Sequence, residues 1–209
     1  MFMKSFFSAV AVLVGASLAQ VSADEITGKV IHHYTYVGAG YSYLHDVGDG
    51  HAHGVFGEAS FEEYNFVLSV SGGHWWADDD LGVDADTRLW SVGTSLGYVF
   101  RFAENHLNII PRFGGAYGET IVDVPGPSRF KSEAWFITPG ATLSYALNNR
   151  LALAANYTYA YNLDAEEGDH AFSVGPRFAL FERVGLNISA SFTDDDGFTG
   201  VTAGVELHF

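Results

Sequence analysis

Long stretches of this chain alternate apolar with small or polar residues, and this period of two constrains the fold more than any other feature. In the last segment one face carries Val201, Ala203, Val205, Leu207 and Phe209, and the other carries Thr202, Gly204, Glu206 and His208. Such alternation is typical of β-strands with two different faces. The sequence predicts an all-β fold of ten strands, near residues 33–44, 54–62, 65–76, 88–102, 107–118, 132–146, 151–162, 170–181, 185–193 and 199–209.

The predicted connections alternate between long acidic loops and tight turns. The long ones include "HDVGDGHAH", "ADDDLGVDADT" and "ETIVDVPGPSR", and the short ones fall near 62–64, 103–106, 147–150 and 182–184. An antiparallel up-and-down meander gives this asymmetry, which is typical of transmembrane barrels with short periplasmic turns. Alternation alone also fits a soluble β-sandwich, so the composition of the two faces decides between them.

The polar face is built mainly from Gly, Ser, Ala, Thr and Asn. The chain has 24 glycines and only 17% charged residues, whereas a water-exposed face normally carries many lysines and glutamates. Small side chains suit the crowded interior of a narrow barrel, which leaves the apolar face for lipid. The formal net charge of −15 argues against nucleic acid as a partner.

Aromatic residues of the apolar face gather at both ends of the predicted strands. Those beside the long loops are Tyr43, Trp76, Trp90, Tyr117, Trp135 and Tyr161, and those beside the turns are Phe61, Phe66, Phe100, Phe102, Tyr145 and Phe209. Two belts around an aliphatic band match the headgroup levels of a bilayer. Lipid offers no hydrogen-bond partner, so the first strand must pair with the last. We therefore expect a closed antiparallel up-and-down transmembrane β-barrel of ten strands, with eight as the alternative.

The amino-terminal stretch has the layout of a secretory signal peptide. Lys4 precedes an apolar run that ends near Leu18, and small residues follow up to Ala23. We expect cleavage after Ala23, with residues 1–23 as the signal peptide and residues 24–209 as the barrel domain. The chain contains no cysteine, which excludes disulfides.

The closing stretch "TAGVELHF" resembles the carboxy-terminal signature of bacterial outer-membrane barrels. Thr202, Gly204, Leu207 and Phe209 occupy the signature positions. "TYVGAGYSYL" and "WSVGTSLGYVFRF" similarly resemble strands of the small OmpA/OmpX-like barrel family. The resemblance implies a location in the cell outer membrane, contact with its lipid and lipopolysaccharide, and delivery by the outer-membrane assembly machinery.

Six charged residues fall on the predicted lumen face: Glu58, Glu62, Arg101, Arg112, Arg177 and Glu206. Charges in a narrow interior should be paired. We expect Glu58 to share Arg112 or Arg177 near mid-barrel, with Glu62, Arg101 and Glu206 nearer the periplasmic mouth. Ion pairs would plug the lumen, whereas a charged constriction would make a narrow pore. Pro111, Pro139 and Pro176 lie inside predicted strands, where local bulges could absorb them.

Most remaining acidic residues lie in the long loops, where they could bind divalent cations that bridge to lipopolysaccharide. No metal-ligand spacing, cofactor motif or catalytic motif occurs. His74 with Asp78, and His170 with Asp169, are candidate rim pairs only through their proximity in sequence. The sequence therefore favours a non-catalytic outer-membrane protein with a structural and surface-interaction role. A narrow porin-like channel and a rim-site enzyme remain as alternatives.

Overall fold

Twelve antiparallel strands form a single sheet. The computed structural model describes residues 34–47, 50–78, 86–124, 129–148, 150–181, 183–194 and 197–209, so the predicted signal peptide lies outside the described residues. The strands are β1 Tyr36–Val47, β2 Gly50–Glu63, β3 Phe66–Asp78, β4 Asp86–Tyr98, β5 Phe100–Phe102, β6 Leu107–Asp123, β7 Arg129–Ile137, β8 Gly140–Asn148, β9 Leu151–Asn162, β10 Glu167–Phe181, β11 Val184–Thr193 and β12 Gly197–His208.

The twelve strands occupy ten strand positions around a closed barrel, and we call each position a stave. Strands β4 and β5 both pair with β6, and β7 and β8 both pair with β6 and β9, so each couple forms one interrupted stave. Strand β1 pairs with β12 from Tyr36–His208 to Leu44–Gly200, which closes the sheet. The ten-strand prediction is confirmed. Among the described residues, no helix is long and apolar enough to cross a membrane.

The strands are strongly staggered around the barrel. A row of paired residues that starts at Ala179 on β10 returns to β10 at Glu167, twelve residues away, after passing through Gly185, Glu206, Gly38, Glu58, Ser71, Gly93, Ala116, Phe136 and Asn162. Closing a ten-stranded sheet with this stagger requires strands tilted at about 40° to the barrel axis.

The two faces of each strand differ sharply in exposure. On β3, Val67, Ser69 and Ser71 are at most 3% exposed, whereas Phe66, Leu68 and Val70 are at least 50% exposed. The small and polar residues thus point inward and the large apolar residues point outward. A soluble β-sandwich would bury the apolar face instead.

Aromatic rings collect at both ends of the outer face. We call the end with the longer connections the loop rim and the opposite end the turn rim. Tyr117 packs against Trp90 and Trp135 near the loop rim, with ring centroids 5.2 and 4.9 Å apart. From Phe66 to Trp76, β3 rises about 25 Å along the barrel axis at about 3.3 Å per residue and this tilt. That height equals the apolar band of outer-membrane barrels.

The three strand prolines are accommodated without bulges. The pairing of β7–β8 with β6 and β9 keeps one register across Pro139, and the Pro139 carbonyl still accepts a 2.9 Å hydrogen bond from the Tyr159 amide. Registers are also continuous at Pro111 and Pro176. The expectation of local bulges was therefore wrong, because each proline removes one ladder donor without displacing the strand.

Connections at the two rims differ as predicted, but several strands run further towards the loop rim than expected. The predicted loop "HDVGDGHAH" gives its first three residues to β1 and its last four to β2, and β10 begins already at Glu167. At the turn rim, Tyr64 and Asn65 take positive φ of 52° and 68° in the turn between β2 and β3. The segment from Glu119 to Asp123 was expected to be loop but extends β6, paired with β7. The ladder therefore continues past the aromatic ring at Trp135, beyond the band that crosses lipid.

Candidate functional site: the barrel lumen

The lumen holds three acids and three arginines. All six sequence-predicted charged residues lie on the inward-facing parity of their strands: Glu58 and Glu62 on β2, Arg101 on β5, Arg112 on β6, Arg177 on β10 and Glu206 on β12. The three carboxylates and Arg177 are at most 5% exposed. The formal charges of these six residues balance.

Arg177 and Glu206 form the most buried ion pair. The guanidinium donates from Nη2 to Glu206 Oε2, and the amide of Asn187 donates to Oε1 at 2.8 Å. His208 Nε2 lies 3.4 Å from Oε2, and its ring packs against Tyr36 with centroids 5.3 Å apart. The carboxylate thus has partners on both oxygens. Sequence reasoning missed Asn187 as a partner, although its inward parity was visible.

The side chains of Glu58 and Glu206 both lie next to Gly38. A Cβ added to Gly38 would lie 3.4 Å from the side chains of both glutamates, which flank it on β2 and β12. The Tyr36 hydroxyl donates a hydrogen bond to Glu58. Glu58 was expected to share Arg112 or Arg177, but the structure places Arg177 on Glu206. Arg112 acts on Glu58 electrostatically from across the lumen.

A second ion pair seals the turn rim. Arg101 Nη2 donates to Glu62 Oε1 at 2.7 Å, and the Tyr34 amide donates to Glu62 Oε2 at 2.7 Å. The same guanidinium also bonds Asn65 and lies over the Tyr34 ring, 5.8 Å from its centroid. The chain entering β1 is thereby tied to β2 and β5. Glu62 and Arg101 lie near the turn-rim mouth, as the sequence suggested.

Apolar side chains fill the remaining cross-section. Nearer the loop rim, a buried cluster contains Leu44, Ala52, Phe56, Trp75, Leu89, Ala116, Ala134, Phe136 and Ala160. Nearer the turn rim, Tyr34, Val67, Val99 and Ile110 form a second cluster. The two ion pairs therefore lie on the turn-rim side of the larger apolar cluster, beside the smaller one. Sequence reasoning did not identify these fillers, which are the few large residues on the inward parity.

The largest fillers lie flat on glycines of neighbouring strands. A Cβ on Gly54 would be 2.3 Å from the Trp75 indole, and a Cβ on Gly40 would be 2.2 Å from the Phe56 ring. A small cavity remains beside Arg112, lined by Ser95, Thr138, Gly140, Ala141, Thr142, Tyr157 and Thr158. The lumen is thus packed rather than open along its length.

The histidines of the two candidate rim pairs contact side chains that the sequence did not suggest. His170 Nδ1 lies 2.8 Å from the Tyr157 hydroxyl, and its Nε2 lies 3.9 Å from Asp194, which directly follows β11. His74 packs edge-on against Trp76, with centroids 4.5 Å apart. Among the described residues, no group of three or more His, Asp or Glu side chains could hold a metal ion. Six of the acidic loop residues lie outside the described ranges: Asp49, Asp79, Asp80, Asp84, Asp195 and Asp196.

Exposed cations form a cross-strand ladder above the aromatic ring of the loop rim. Lys131 contacts Glu119 at 3.0 Å and Glu133 at 2.6 Å, and the Lys131 ammonium lowers the pKa of the Glu133 carboxyl. The ladder also includes Arg129–Asp123 across β6 and β7 at 3.5 Å and, within β4, Arg88–Asp86 at 2.5 Å. This wall is the place where described basic side chains face outward at the loop rim.

Comparisons with known proteins agree with this architecture. The model of the outer membrane protein beta-barrel domain family matches residues 7–209. The β domain of the Bordetella autotransporter BrkA superposes with a TM-score of 0.54 at 13% identity, covering 84% of this chain and 99% of that chain. Ail, the attachment invasion locus protein of Yersinia pestis, gives 0.44 at 15% identity, covering 83% and 97%. The KdgM porin gives 0.42 at 14% identity, covering 82% and 99%. No curated protein sequence matches the chain.

Proposed function

Because this chain belongs to the outer membrane protein beta-barrel family, we propose that it is a closed, non-conducting and non-catalytic barrel that anchors an acidic external surface in the outer membrane. The observation that carries the proposal is the packed lumen. Two buried ion pairs and two apolar clusters share the lumen, and Ile110, Tyr34 and Trp75 are at most 2% exposed inside it.

A conducting pore would need a continuous wet path. Barrels of about eight to ten strands have interiors that side chains can fill, whereas aqueous channels occur at about 16 strands. The Arg177–Glu206 pair has side chains at most 5% exposed, and so it does not line water as a selectivity ring would. These features support a plug over a pore.

Conductance in planar bilayers tests the plug. We expect no steady current from the wild-type protein and a current from the double variant Phe56→Ala, Trp75→Ala, because both side chains fill the lumen. Trp135→Ala is the matched control, since this indole lies on the outer face. A steady, ion-selective wild-type current would establish the channel function instead.

The loop-rim ladder supports lipopolysaccharide as a partner. Arg88, Arg129 and Lys131 face outward just above the aromatic belt, at the level where lipid phosphates lie. Anionic headgroups attract cations at this level. Divalent cations at the acidic loops would add bridges to the same phosphates. The assembly machinery would read β12 together with Phe209, which follows it.

Lipopolysaccharide binding to the refolded protein tests this partner. We expect the triple variant Arg88→Gln, Arg129→Gln, Lys131→Gln to bind purified lipopolysaccharide more weakly. The control is Arg150→Gln, Arg183→Gln, which removes charges at the opposite rim. Equal loss of lipopolysaccharide binding in both variants would show that only the overall charge matters, and would contradict a role for the ladder.

A further inference from the structure

Histidines are concentrated on one part of the outer wall. Seven of the nine histidines lie in the described ranges, and four of these face outward near the loop rim on β1, β2 and β3: His45, His51, His53 and His74. Neutral imidazoles are the side chains that borderline transition metals prefer. This wall is separate from the lumen and from the Arg88–Lys131 ladder.

Two of these histidines face each other across the β1–β2 hairpin. His45 Nδ1 and His51 Nδ1 form a 2.9 Å hydrogen bond in which one ring donates and the other accepts, and the ring centroids lie 4.7 Å apart. Both side chains are exposed, and Tyr43 packs against His51 at 5.7 Å between centroids. The ladder positions Tyr43–His53 and Leu44–Ala52 just below hold the two strands at fixed separation.

We propose that His45 and His51 form a binding site for a first-row divalent transition metal. Two ligand nitrogens at about 2.0–2.1 Å from a shared ion lie about 2.9 Å apart when they occupy cis positions at 90°. They lie about 3.4 Å apart at the tetrahedral angle. A bound ion would replace the proton between the two rings, which passes to solvent. The observed 2.9 Å separation then fits the square or octahedral geometry of Cu²⁺ or Ni²⁺ better than tetrahedral Zn²⁺.

The other histidines of this wall are engaged differently. His53 and His74 both pack on Trp76, at 5.8 and 4.5 Å between centroids. No group of three or more His, Asp or Glu ligands exists among the residues that the structure describes, so the proposed site rests on two imidazoles. A two-imidazole site favours Cu²⁺ over Ni²⁺ and Zn²⁺, following the usual order of affinity. It differs in chemistry from oxygen-rich loops that would take Ca²⁺ or Mg²⁺.

The experiment is Cu²⁺ titration of the refolded barrel in detergent, with calorimetry and electron paramagnetic resonance as readouts. All variants carry His32→Gln and His33→Gln, because adjacent histidines also bind copper. We expect hyperfine coupling to two nitrogens. His45→Gln and His51→Gln should each weaken binding at least tenfold, whereas His53→Gln should leave it unchanged.

Folding of each variant is checked by heat-modifiable migration, since the exposed His45 and His51 side chains contribute little to packing. Unchanged Cu²⁺ affinity in folded His45→Gln and His51→Gln would overturn the proposal. Loss of affinity in His53→Gln equal to that in His51→Gln would overturn the assigned ligand pair. Absence of nitrogen coupling in the parent protein would overturn the site itself.

Discussion

Arg177 and Glu206 form an ion pair inside the barrel in which both side chains are at most 5% exposed. Asn187 holds the second carboxylate oxygen at 2.8 Å, so neither oxygen of Glu206 faces an apolar wall alone. The pair joins β10 to β12 across β11. It therefore links residues of three consecutive staves through one contact, and its loss should affect all three.

Removing one member of this pair should destabilise the barrel strongly. Arg177→Met or Glu206→Gln leaves a buried polar partner uncompensated, which costs about 3–5 kcal/mol. The double variant should cost less than the two single variants combined, because neither partner is left alone. Urea unfolding in detergent measures both effects. Arg88→Met, from the exposed pair with Asp86, should leave the midpoint nearly unchanged, and strict additivity of the two lumen variants would contradict a coupled pair.

A methyl group at Gly40 should also destabilise the fold. Its Cβ would lie 2.5 Å from the Ala203 carbonyl oxygen and 2.2 Å from the Phe56 ring. Because a backbone atom cannot move aside, we expect Gly40→Ala to cost about 1–3 kcal/mol. Gly57→Ala is the control, since its nearest neighbour would be 3.7 Å away. The temperature at which the folded gel band disappears reports both variants, and equal temperatures would contradict the packing of Phe56.

The seam between the first and last strands can be cross-linked. Ser42 and Thr202 are paired residues, and their hydroxyl oxygens lie 3.5 Å apart. Facing positions in an antiparallel ladder bring the Cβ atoms within disulfide range. Ser42→Cys, Thr202→Cys should therefore oxidise to a disulfide, seen as faster migration of the unfolded, non-reduced chain. Ser42→Cys, Ser173→Cys should keep two free thiols, and two free thiols in the first variant would show that the seam is not closed there.

Tryptophan fluorescence can test which face meets lipid. Trp135 is 58% exposed on the outer face, whereas Trp75 is 2% exposed in the lumen. In variants that keep one tryptophan, with the others changed to Phe, brominated lipid should quench Trp135 strongly and Trp75 weakly. Stronger quenching of Trp75 would reverse the assignment of the faces.

Sequence alone predicted the wall of this barrel well, because the relevant signal is local. The period of two assigns each residue to a face without knowledge of its neighbours across the sheet. The inward positions of Ser69 and Ser71 and the outward positions of Leu68 and Val70 follow directly. The ten staves followed from the regular alternation of long and short connections.

The contacts inside the lumen were less predictable, because they depend on the stagger of the strands. Parity placed Glu58 and Arg177 in the same interior but gave no height along the axis. The observed registers bring Arg177 level with Glu206 instead. The unbroken registers at Pro111, Pro139 and Pro176 were not predictable from the sequence either. They depend on which residue of the neighbouring strand would have lain opposite each missing N–H group.

The contact between Trp75 and Gly54 excludes incorrect registers of β2 against β3 that the alternation of inward and outward residues would still allow. A slip of one residue between β2 and β3 would turn apolar side chains inward, so face preference rejects it. A slip of two residues preserves both faces, yet it would bring the indole opposite Ala52 or Phe56, each with a Cβ where Gly54 has none. Glycines beneath the large lumen rings thus exclude registers that are shifted by an even number of residues. They do so through steric volume rather than polarity, because any larger residue at the glycine position would clash with the ring.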